Sequence, residues 1–329
     1  MARLARIWGS ARFRGVLYQV LVIGGVLALG GWLLRNTLAN LETRGIATGF
    51  GFLGREAGFE ISETLIAFSP ADTYAHALLV GLLNTLLVSA IGIVLSTILG
   101  TAIGVVRLSG NWLMGRLATV YVEAIRNVPL LLQLFVWYGL VTSLPGARQA
   151  LNPVPGVFLS NRGLVIPGLD WSQGWPILDI PHLAGFNFTG GLTLSPEFAA
   201  LLAGLTIYTA AFIAEIVRAG ILSVPKGQVE AALSLGLSRG QILRLVVLPQ
   251  ALRVMVPPMT SQFLNITKNS PLAIAIGYPD LVAVSNTTIN QTGQAVEGVA
   301  LVMGVFLCIS LALSALMNWY NKRVALVSK

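Results

Sequence analysis

Long apolar segments constrain this chain more than any other feature of its sequence. A helix needs about 20 predominantly apolar residues to cross a hydrocarbon core roughly 30 Å thick, and five segments clearly reach that length. A sixth, residues 252–276, is interrupted by Pro257, Pro258, Lys268 and Pro271. The sequence therefore predicts an all-α integral membrane protein with about six transmembrane helices. The five clear segments are residues 16–34, 77–106, 118–143, 198–222 and 296–320.

The composition agrees with a membrane protein and excludes an ordinary soluble one. Of the 329 residues, 55% are hydrophobic and only 10% are charged, whereas a soluble domain keeps about a quarter of its residues charged. We expect residues 77–106 to form one long, tilted helix. A broken helix at membrane depth is tolerated only where protein or a water-filled cavity satisfies the freed backbone groups. The interrupted segment 252–276 is therefore the span most suggestive of a function.

The basic residues indicate which side of the membrane each loop occupies. Lys and Arg concentrate in cytoplasmic loops, and the N-terminal segment carries Arg3, Arg6, Arg12 and Arg14 with no acidic residue among them. With six spans, thirteen basic residues fall inside and five outside, leaving aside three that lie near or within spans. An odd number of spans would put one terminus on the wrong side. We therefore predict that both termini, and the loop at residues 224–250, are cytoplasmic.

Motifs that would mark an enzyme or a nucleic-acid-binding protein are missing. The chain has no G-x-x-x-x-G-K-[ST] motif for ATP and no H-E-x-x-H motif for zinc, and its two histidines, His76 and His182, fall in predicted outside segments. Gly49, Gly51 and Gly54 match G-x-G-x-x-G without the βαβ unit that a dinucleotide site requires. The net charge of +8 sits in loops beside apolar segments, where lipid headgroups account for it. We predict no catalytic residue, metal site, cofactor or nucleic-acid partner for this chain.

A polar, basic segment between two apolar ones, residues 224–258, carries the most informative motif. Its Glu-Ala-Ala sequence precedes Gly236, which lets the chain turn between two short helices where a side chain would strain the bend. The small alanines let a helix approach a neighbouring surface closely. Pro257 and Pro258 are expected to stop and kink the chain as it re-enters the membrane. An ordinary amphipathic loop is the alternative interpretation. The motif residues are Glu230, Ala231, Ala232, Gly236, Leu248 and Pro249.

This motif resembles the cytoplasmic EAA loop in the membrane-spanning subunit of ABC importers, where two short helices dock onto a separate ATPase. Three further motifs extend the resemblance: Y-x-E-x-x-R-x-x-P-L-L-x-Q-L from Tyr121, Y-T-A-A-F-I-A-E-I-V-R-A-G-I from Tyr208 and T-K-N-S-P-L-A-I-A-I from Thr267. Together they are similar to the permeases of polar amino-acid ABC importers, and most of all to the general L-amino acid permeases. The resemblance implies a type I importer permease fold with cytoplasmic coupling helices.

The same resemblance implies a function and a set of partners. A permease of this family imports L-amino acids across the inner membrane of a bacterium, with broad specificity in the general L-amino acid group. It pairs with a second, homologous or identical permease, with two ATP-binding subunits that hold ATP and magnesium, and with a periplasmic amino-acid-binding protein. ATP hydrolysis then belongs to a partner chain, and this chain is not itself an enzyme.

The predicted organisation has three parts. Residues 1–76 hold the first span and an outside segment, residues 77–320 form the permease core, and residues 321–329 are a cytoplasmic tail. Within the core, residues 144–197 are a periplasmic loop rich in Pro and Gly, where longer relatives carry two further hydrophobic spans. Losing two spans keeps the number of spans even, so the loop at 224–250 stays inside.

Lys268 is the strongest candidate for a residue of the substrate pathway. It lies about fifteen residues beyond Arg253, or roughly 22 Å of helix at ~1.5 Å per residue, so it is predicted to be buried at membrane depth. A charge there is expensive and suggests a function by default. Thr267, Asn269 and Ser270 are polar neighbours, and Pro271 ends the helix just after them. We expect this group to meet the carboxylate that all amino acids share. The alternatives are that Lys268 pairs with an acidic group on a partner or extends to the outer surface.

Two pairs of opposite charges are predicted to be structural. Glu215 and Arg218 are three residues apart on one helix face, a spacing that brings side chains together. Glu123 and Arg126 have the same spacing just before Pro129, and we interpret them as part of an elbow at the inner membrane surface. Asn84 and Gln133 within spans are expected to form hydrogen bonds between helices.

Two other classes of membrane protein remain as alternatives. An ion-coupled secondary amino-acid transporter would need carboxylates at mid-membrane, and only Glu215 comes near a span interior. A membrane-anchored scaffold or insertion factor would not need a broken span with a buried lysine. Both therefore fit the sequence less well than an importer permease.

Overall fold

The computed structural model describes residues 11–43, 45, 48–170 and 174–324. The predicted basic N-terminal segment up to residue 10 and the end of the predicted tail, residues 325–329, lie outside the described residues. The first helix, α1, spans Ala11–Thr43. Its apolar part, Phe13–Asn40, is long enough to cross a membrane and buries none of its length against the rest of the described chain.

Two long helices form the centre of the molecule. Helix α2, Tyr74–Val106, is continuous over 33 residues, as the apolar run predicted. A later helix of the same kind, Pro196–Leu222, packs along it. Gly100 lies against Ile213 and Gly104 against Val217, so closely that a Cβ atom on either glycine would come within 2.8 Å of these side chains. Because residues late in one helix meet residues late in the other, the two helices run parallel.

The third apolar segment is not the single helix expected over residues 118–143. It consists of α3, Trp112–Asn127, and α4, Leu130–Thr142, which are bent by 108°. The break falls at Val128 and Pro129, because a proline forces the residue before it out of the helical region. The described residues therefore contain five helices that qualify as spans, or six if this bent pair is counted.

The segment between α4 and the helix that begins at Pro196 is not an irregular loop. Its described residues form eight short strands, β1 to β8 in chain order: Leu151–Val154, Val157–Ser160, Gly163–Ile166, Gly168–Asp170, Ile177–Asp179, His182–Ala184, Asn187–Thr189 and Leu192–Leu194. They form a four-stranded antiparallel sheet in the order β1-β2-β3-β8 and two separate hairpins, β4-β5 and β6-β7. Short strands separated by Gly and Pro residues carry too little apolar periodicity for a prediction from sequence.

The chain after β8 continues through six helices and two non-α turns. Helix α5 is Pro196–Leu222, and two short helices follow it, α6, Lys226–Ser234, and α7, Arg239–Ile242. A π-helical turn over Leu243–Val247 leads into α8, Leu248–Asn269, which is followed by a 3₁₀ turn over Ser270–Ile276. The last two are α9, Leu281–Thr292, which the sequence did not predict, and α10, Ala295–Val324.

Helix α8 corrects one expectation about the interrupted segment and agrees with another. The helix continues through Pro257 and Pro258 instead of stopping there. Both prolines are exposed, so their rings displace no packed neighbour. The α-helix does end at Asn269, just before Pro271.

The segment between α1 and α2, together with the first residue of α2, is hydrogen-bonded to α9 and to the start of α10. Gly49 N donates to Glu297 Oε1 at 2.7 Å, and the Tyr74 hydroxyl donates to Gln291 Oε1 at 2.8 Å. Phe52, 2% exposed, packs against Val284 in the same cluster. These contacts hold residues 48–73 across one end of the helix bundle.

Candidate functional site

The predicted loop is built from two short helices whose ends are formed locally. Gly236, between α6 and α7, has a φ of +77°, a left-handed conformation that favours glycine. Leu237 N donates to Ala232 O and Gly236 N to Leu233 O, which closes the end of α6. Ser238 and Gln241 form a reciprocal cap at the start of α7. The local sequence therefore determines the turn that separates the two helices.

The two alanines of the loop differ in exposure, although both were predicted to face a partner. Ala232 is only 5% exposed and packs against its own chain, in a cluster with Ile242, Val247 and Met255. Because Ala232 is small, α6 can pack closely against the helix bundle of its own chain. This side chain is therefore not available to a groove on a partner. Ala231 and Glu230 are exposed, so only these two members of the Glu-Ala-Ala motif are available to another protein.

Exposed leucines form an apolar surface on the same loop. Leu235 is 81% exposed and Leu245 is 62% exposed, although both are apolar. Leu233, Leu243 and Leu248 are also exposed, and Pro249 is half-buried at the start of α8. A surface of this kind on a polar loop is typical of a protein interaction site. We refer to the end of the bundle that carries α6 and α7 as the coupling end.

The structure brings Glu215 and Arg218 together and adds a third charge. Arg218 Nη2 lies 2.5 Å from Glu215 Oε1, and Arg107 forms a salt bridge with Glu215 Oε2. Arg107 Nε also donates to Thr119 Oγ1 at 3.4 Å. This network joins the end of α2 to α3 and α5. Arg107 was not predicted to belong to this group, although its position directly after an apolar run marks it as a helix-end charge.

Glu123 and Arg126 do not form the predicted pair. Within the described residues Arg126 makes no salt bridge with Glu123, and its guanidinium lies 4.9 Å from the centre of the Phe212 ring instead. A guanidinium over an aromatic face is attracted by the ring electrons. The cation therefore fastens α3 to α5 rather than to its own helix.

The two polar side chains predicted to bond between helices donate to carbonyl groups that helix hydrogen bonds leave free. Gln133 Nε2 donates to Ile125 O at 2.9 Å and to Val128 O at 3.0 Å, across the bend between α3 and α4. Asn84 Nδ2 donates to Glu63 O and to Pro279 O, each at 2.9 Å. The Ile125 carbonyl lies in the last turn of α3, and the other three carbonyls lie outside the helices.

The four residues of the proposed pathway do not point to one side. Thr267 and Ser270 are buried, and Ser270 Oγ donates to Thr267 O at 3.2 Å. Lys268 is exposed on the surface of the single chain rather than buried, and no carboxylate of the described residues forms a salt bridge with it. Asn269 is half-buried.

Lys268 continues a polar face along α8. Ser261 and Asn265 are also exposed, seven and three residues before it, and residues at these spacings share one side of a helix. Neither Ser261 nor Asn265 was predicted to be functional, because only the burial pattern shows which side of α8 is not covered by the rest of the chain. Ser261, Asn265 and Lys268 together are called the polar face of α8.

Comparison with known proteins identifies the family. The family described as "Binding-protein-dependent transport system inner membrane component" matches residues 92–326. The chain is 46% identical to the putative amino-acid ABC transporter permease protein YhdX of Escherichia coli, with 99% of each chain covered. It is 44% identical to the general L-amino acid transport system permease protein AapQ of Rhizobium johnstonii, over 97% of this chain and 94% of the relative.

The alignment with the first of these relatives also contains gaps. It runs over 390 positions, more than the 329 residues of this chain, so the relative has residues that this chain lacks. We expected relatives of this type to be longer than this chain, and the length of the alignment agrees with that expectation.

Solved structures of similar fold come from ABC transporters. One, an amino acid ABC transporter crystallised with histidines, has a TM-score of 0.56 and 25% identity, and covers 76% of this chain and 95% of its own. A second, the methionine ABC transporter MetNI in an inward-facing conformation, has a TM-score of 0.54 at 18% identity, over 76% of this chain and 97% of its own, and supports the fold alone. The predicted importer permease fold is thereby confirmed, and so is the resemblance drawn from the sequence motifs. The chain belongs to the family of inner membrane components of binding-protein-dependent transport systems.

Proposed function

We propose that this chain is the membrane-spanning permease subunit of an ATP-driven importer of L-amino acids. The observation that carries the proposal is the loop at the coupling end, where two locally capped helices present unpartnered leucines. The names of the two relatives, which concern amino-acid and general L-amino acid transport, support the substrate class. We also propose broad specificity, by analogy with the second relative.

The proposed complex contains a second permease, homologous or identical, and two ATP-binding subunits that hold ATP and magnesium. A periplasmic amino-acid-binding protein delivers the substrate. Both termini and the loop at residues 224–250 face the cytoplasm of a bacterium in this arrangement. The excess of basic residues on that side supports it.

Helix α8 is well placed to carry motion from the ATPase to the membrane. It follows α7 after one π-helical turn and has 22 residues, a length of about 33 Å at ~1.5 Å per residue. The exposed Leu243 and Leu245 lie just before its start, and Lys268 lies near its end. A displacement of the loop therefore moves the polar face of α8 as part of a rigid element, and the pore between the two permeases opens alternately to each side.

The polar face of α8 is proposed to line that pore. Ser261, Asn265 and Lys268 are exposed in the single chain although they lie on a membrane-spanning segment. Polar side chains facing lipid would be costly, so this side of the helix should meet the second permease or a water-filled path. Lys268 offers a positive charge to the substrate carboxylate.

Ion-coupled secondary transport is the rejected alternative. Within the described chain, the five segments long and apolar enough to span a membrane contain Glu215 as their only acidic side chain away from a first turn. Its carboxylate is already held by Arg107 and Arg218. It therefore offers no vacant charge for a coupling ion.

Uptake by reconstituted vesicles tests the proposal. The complete complex, with binding protein outside and ATP on the ATPase side, should accumulate labelled L-amino acids, and a non-hydrolysable ATP analogue should abolish accumulation. An imposed proton or sodium gradient without ATP should drive none. Uptake that follows the gradient and ignores ATP would overturn the proposal in favour of the secondary transporter.

A further inference from the structure

A cavity of about 410 Å³ lies at the end of the bundle opposite the coupling end. Its walls include Asn84 near the start of α2, Phe198 near the start of α5, and Tyr278. Helices α2 and α5 run parallel and both finish near the coupling end, so their first turns mark the other end. Residues 62–65, between α1 and α2, residues 192–195, and Arg162, between β2 and β3, also line it.

One wall of this cavity carries a carboxylate with no cationic partner. The Ser195 hydroxyl donates a hydrogen bond to Glu63 Oε1, and no Lys, Arg or His of the described residues forms a salt bridge with this carboxylate. Burial, with the nearby Glu197 as a second cause, raises the pKa of Glu63 to about 7. A positive charge placed in the cavity would stabilise this carboxylate.

Side chains of α2 and of the residue before α5 hold Glu63 in place. The Asn84 amide donates to the Glu63 carbonyl and to the Pro279 carbonyl, each at 2.9 Å. Ser195, whose hydroxyl donates to the Glu63 carboxylate, also caps α5, because this hydroxyl accepts from Phe198 N at 3.0 Å. The Glu63 backbone is therefore held by α2 and its carboxylate by the residue that caps α5.

Arg162, in the turn between β2 and β3, adds a positive charge to the lining of the same cavity. Arg162 lies between β2 and β3, where its backbone N–H donates to Ser160 Oγ at 3.2 Å. Its side chain is exposed and forms no salt bridge within the described part of the chain. Ser62 and Thr64 add hydroxyl groups to the lining. The cavity thus offers a carboxylate, a guanidinium and hydroxyl groups to one ligand.

We propose that this cavity binds a free α-amino acid, with Glu63 receiving the ammonium group and Arg162 the carboxylate group. The two charges match the part that all amino acids share, so side chains of different kinds can be accepted. The volume falls in the usual range for small-molecule sites, about 300–1,000 Å³. The substrate class rests on the proposed function, but the site is separate from the polar face of α8 and would hold an amino acid before it enters the pore.

Protection of an introduced cysteine tests the site at its own location. Cys308→Ser removes the single cysteine, and Thr64→Cys then places an exposed thiol on the cavity wall. In the purified full complex without binding protein, L-alanine or L-glutamine should slow labelling of this thiol at least three-fold. Propionate and ethylammonium, which each carry one of the two charges, should not. Ser109→Cys, beyond the end of α2, should be labelled at the same rate throughout.

Matched charge variants identify the residues responsible. Adding Glu63→Gln or Arg162→Gln to the Thr64→Cys chain should remove the protection. Glu60→Gln and Arg55→Gln, exposed neighbours outside the cavity lining, should leave it intact. Unchanged labelling by either amino acid, equal protection by the singly charged compounds, or protection that survives Glu63→Gln overturns the site. Protection seen only with the binding protein present also overturns it, because the occupant would then be that protein.

The outcome can be separated from the test of the proposed function. If vesicles show ATP-driven uptake and Thr64→Cys is never protected, the site is wrong and the function stands. If no amino acid is taken up but Thr64→Cys is protected, the function is wrong although the site exists.

Discussion

At the scale of single residues, the two ends of the helix bundle differ in how charge is balanced. At the coupling end Glu215 is held by Arg107 and Arg218, so its charge is compensated within the chain. At the other end Glu63 has a serine partner and another carboxylate nearby, that of Glu197. The Glu215 carboxylate at the coupling end is thus neutralised by two arginines. The Glu63 carboxylate at the cavity end has no such partner among the described residues, so it favours binding a proton or a cation.

A pH dependence of stability follows from Glu63. Its pKa in the folded protein, about 7, is above the ordinary value of 4.5, so the folded state binds the proton more tightly than the unfolded state. Its stabilising contribution is present below about pH 4.5 and is lost as the pH rises through about 7. The melting temperature of the purified complex should therefore fall relative to that of Glu63→Gln between pH 5 and 8. Parallel melting curves over this range would contradict the assignment, and Glu60→Gln should follow the wild type.

Gly236 provides a second test at this scale. Gly236→Asp would put a Cβ at a φ of +77° and a negative charge between the docking helices. We expect normal membrane insertion and pairing of permeases, with co-purification of the ATPase and transport both reduced at least ten-fold. Gly110→Asp, in the loop after α2 where no atom would crowd the new Cβ, is the matched control and should retain both. An ATPase bound at the wild-type ratio with normal uptake would show that the loop does not dock as proposed.

At the scale of elements, α8 connects the loop to the pathway. The prolines do not divide it, so the exposed leucines before its first turn and Lys268 near its end move together. The Arg107–Glu215–Arg218 network and the Arg126–Phe212 contact tie α2, α3 and α5 to one another beside it. In the proposed mechanism, α8 moves relative to this group of helices.

Lys268→Met tests the pathway on this helix. If the ammonium group meets the substrate carboxylate, uptake of acidic, neutral and basic amino acids should fall together, by at least ten-fold. Complex assembly should be unchanged, because Lys268 is exposed and has no salt-bridge partner in the described chain. Lys322→Met, near the end of α10, is the control and should transport normally. Uptake of all three classes at the wild-type rate, or a complex that fails to assemble, would assign Lys268 a structural role.

At the scale of the whole molecule, the parallel packing of α2 and α5 determines which loops share a side. Gly100 meets Ile213 and Gly104 meets Val217, so the loop after α2 and the loop after α5 emerge at the same end. This agrees with the proposed cytoplasmic location of both loops. The sheet and hairpins before α5 then lie at the opposite end, together with the proposed amino-acid cavity.

Thiol accessibility tests this arrangement. In a Cys308→Ser background, Asn161→Cys between β2 and β3 should react in intact cells with a reagent that cannot cross the membrane. Ser109→Cys and Ser234→Cys, both at the coupling end, should react only after the membrane is permeabilised. All three positions are exposed in the single chain. Labelling of Ser109→Cys and Asn161→Cys from the same side would contradict the topology.

Local features were predictable because they depend on neighbouring residues. The length of an apolar run predicted α2, and the glycine at position 236 predicted a turn between two short helices, since only φ and the next few hydrogen bonds decide it. Glu215 and Arg218 meet because three residues on a helix bring them together. The motifs likewise indicated the family, because they are contiguous in the chain.

Tertiary structure alone decided which residues meet across large sequence separations. Ala232 turns inward, Arg126 finds Phe212 rather than Glu123, and Arg107 completes the Glu215 network, since each depends on how α3, α5 and the loop pack. The exposure of Lys268 and the cavity between Glu63 and Arg162 arise in the same way. Apolar periodicity predicts that a helix forms, but packing decides which of its sides remains open.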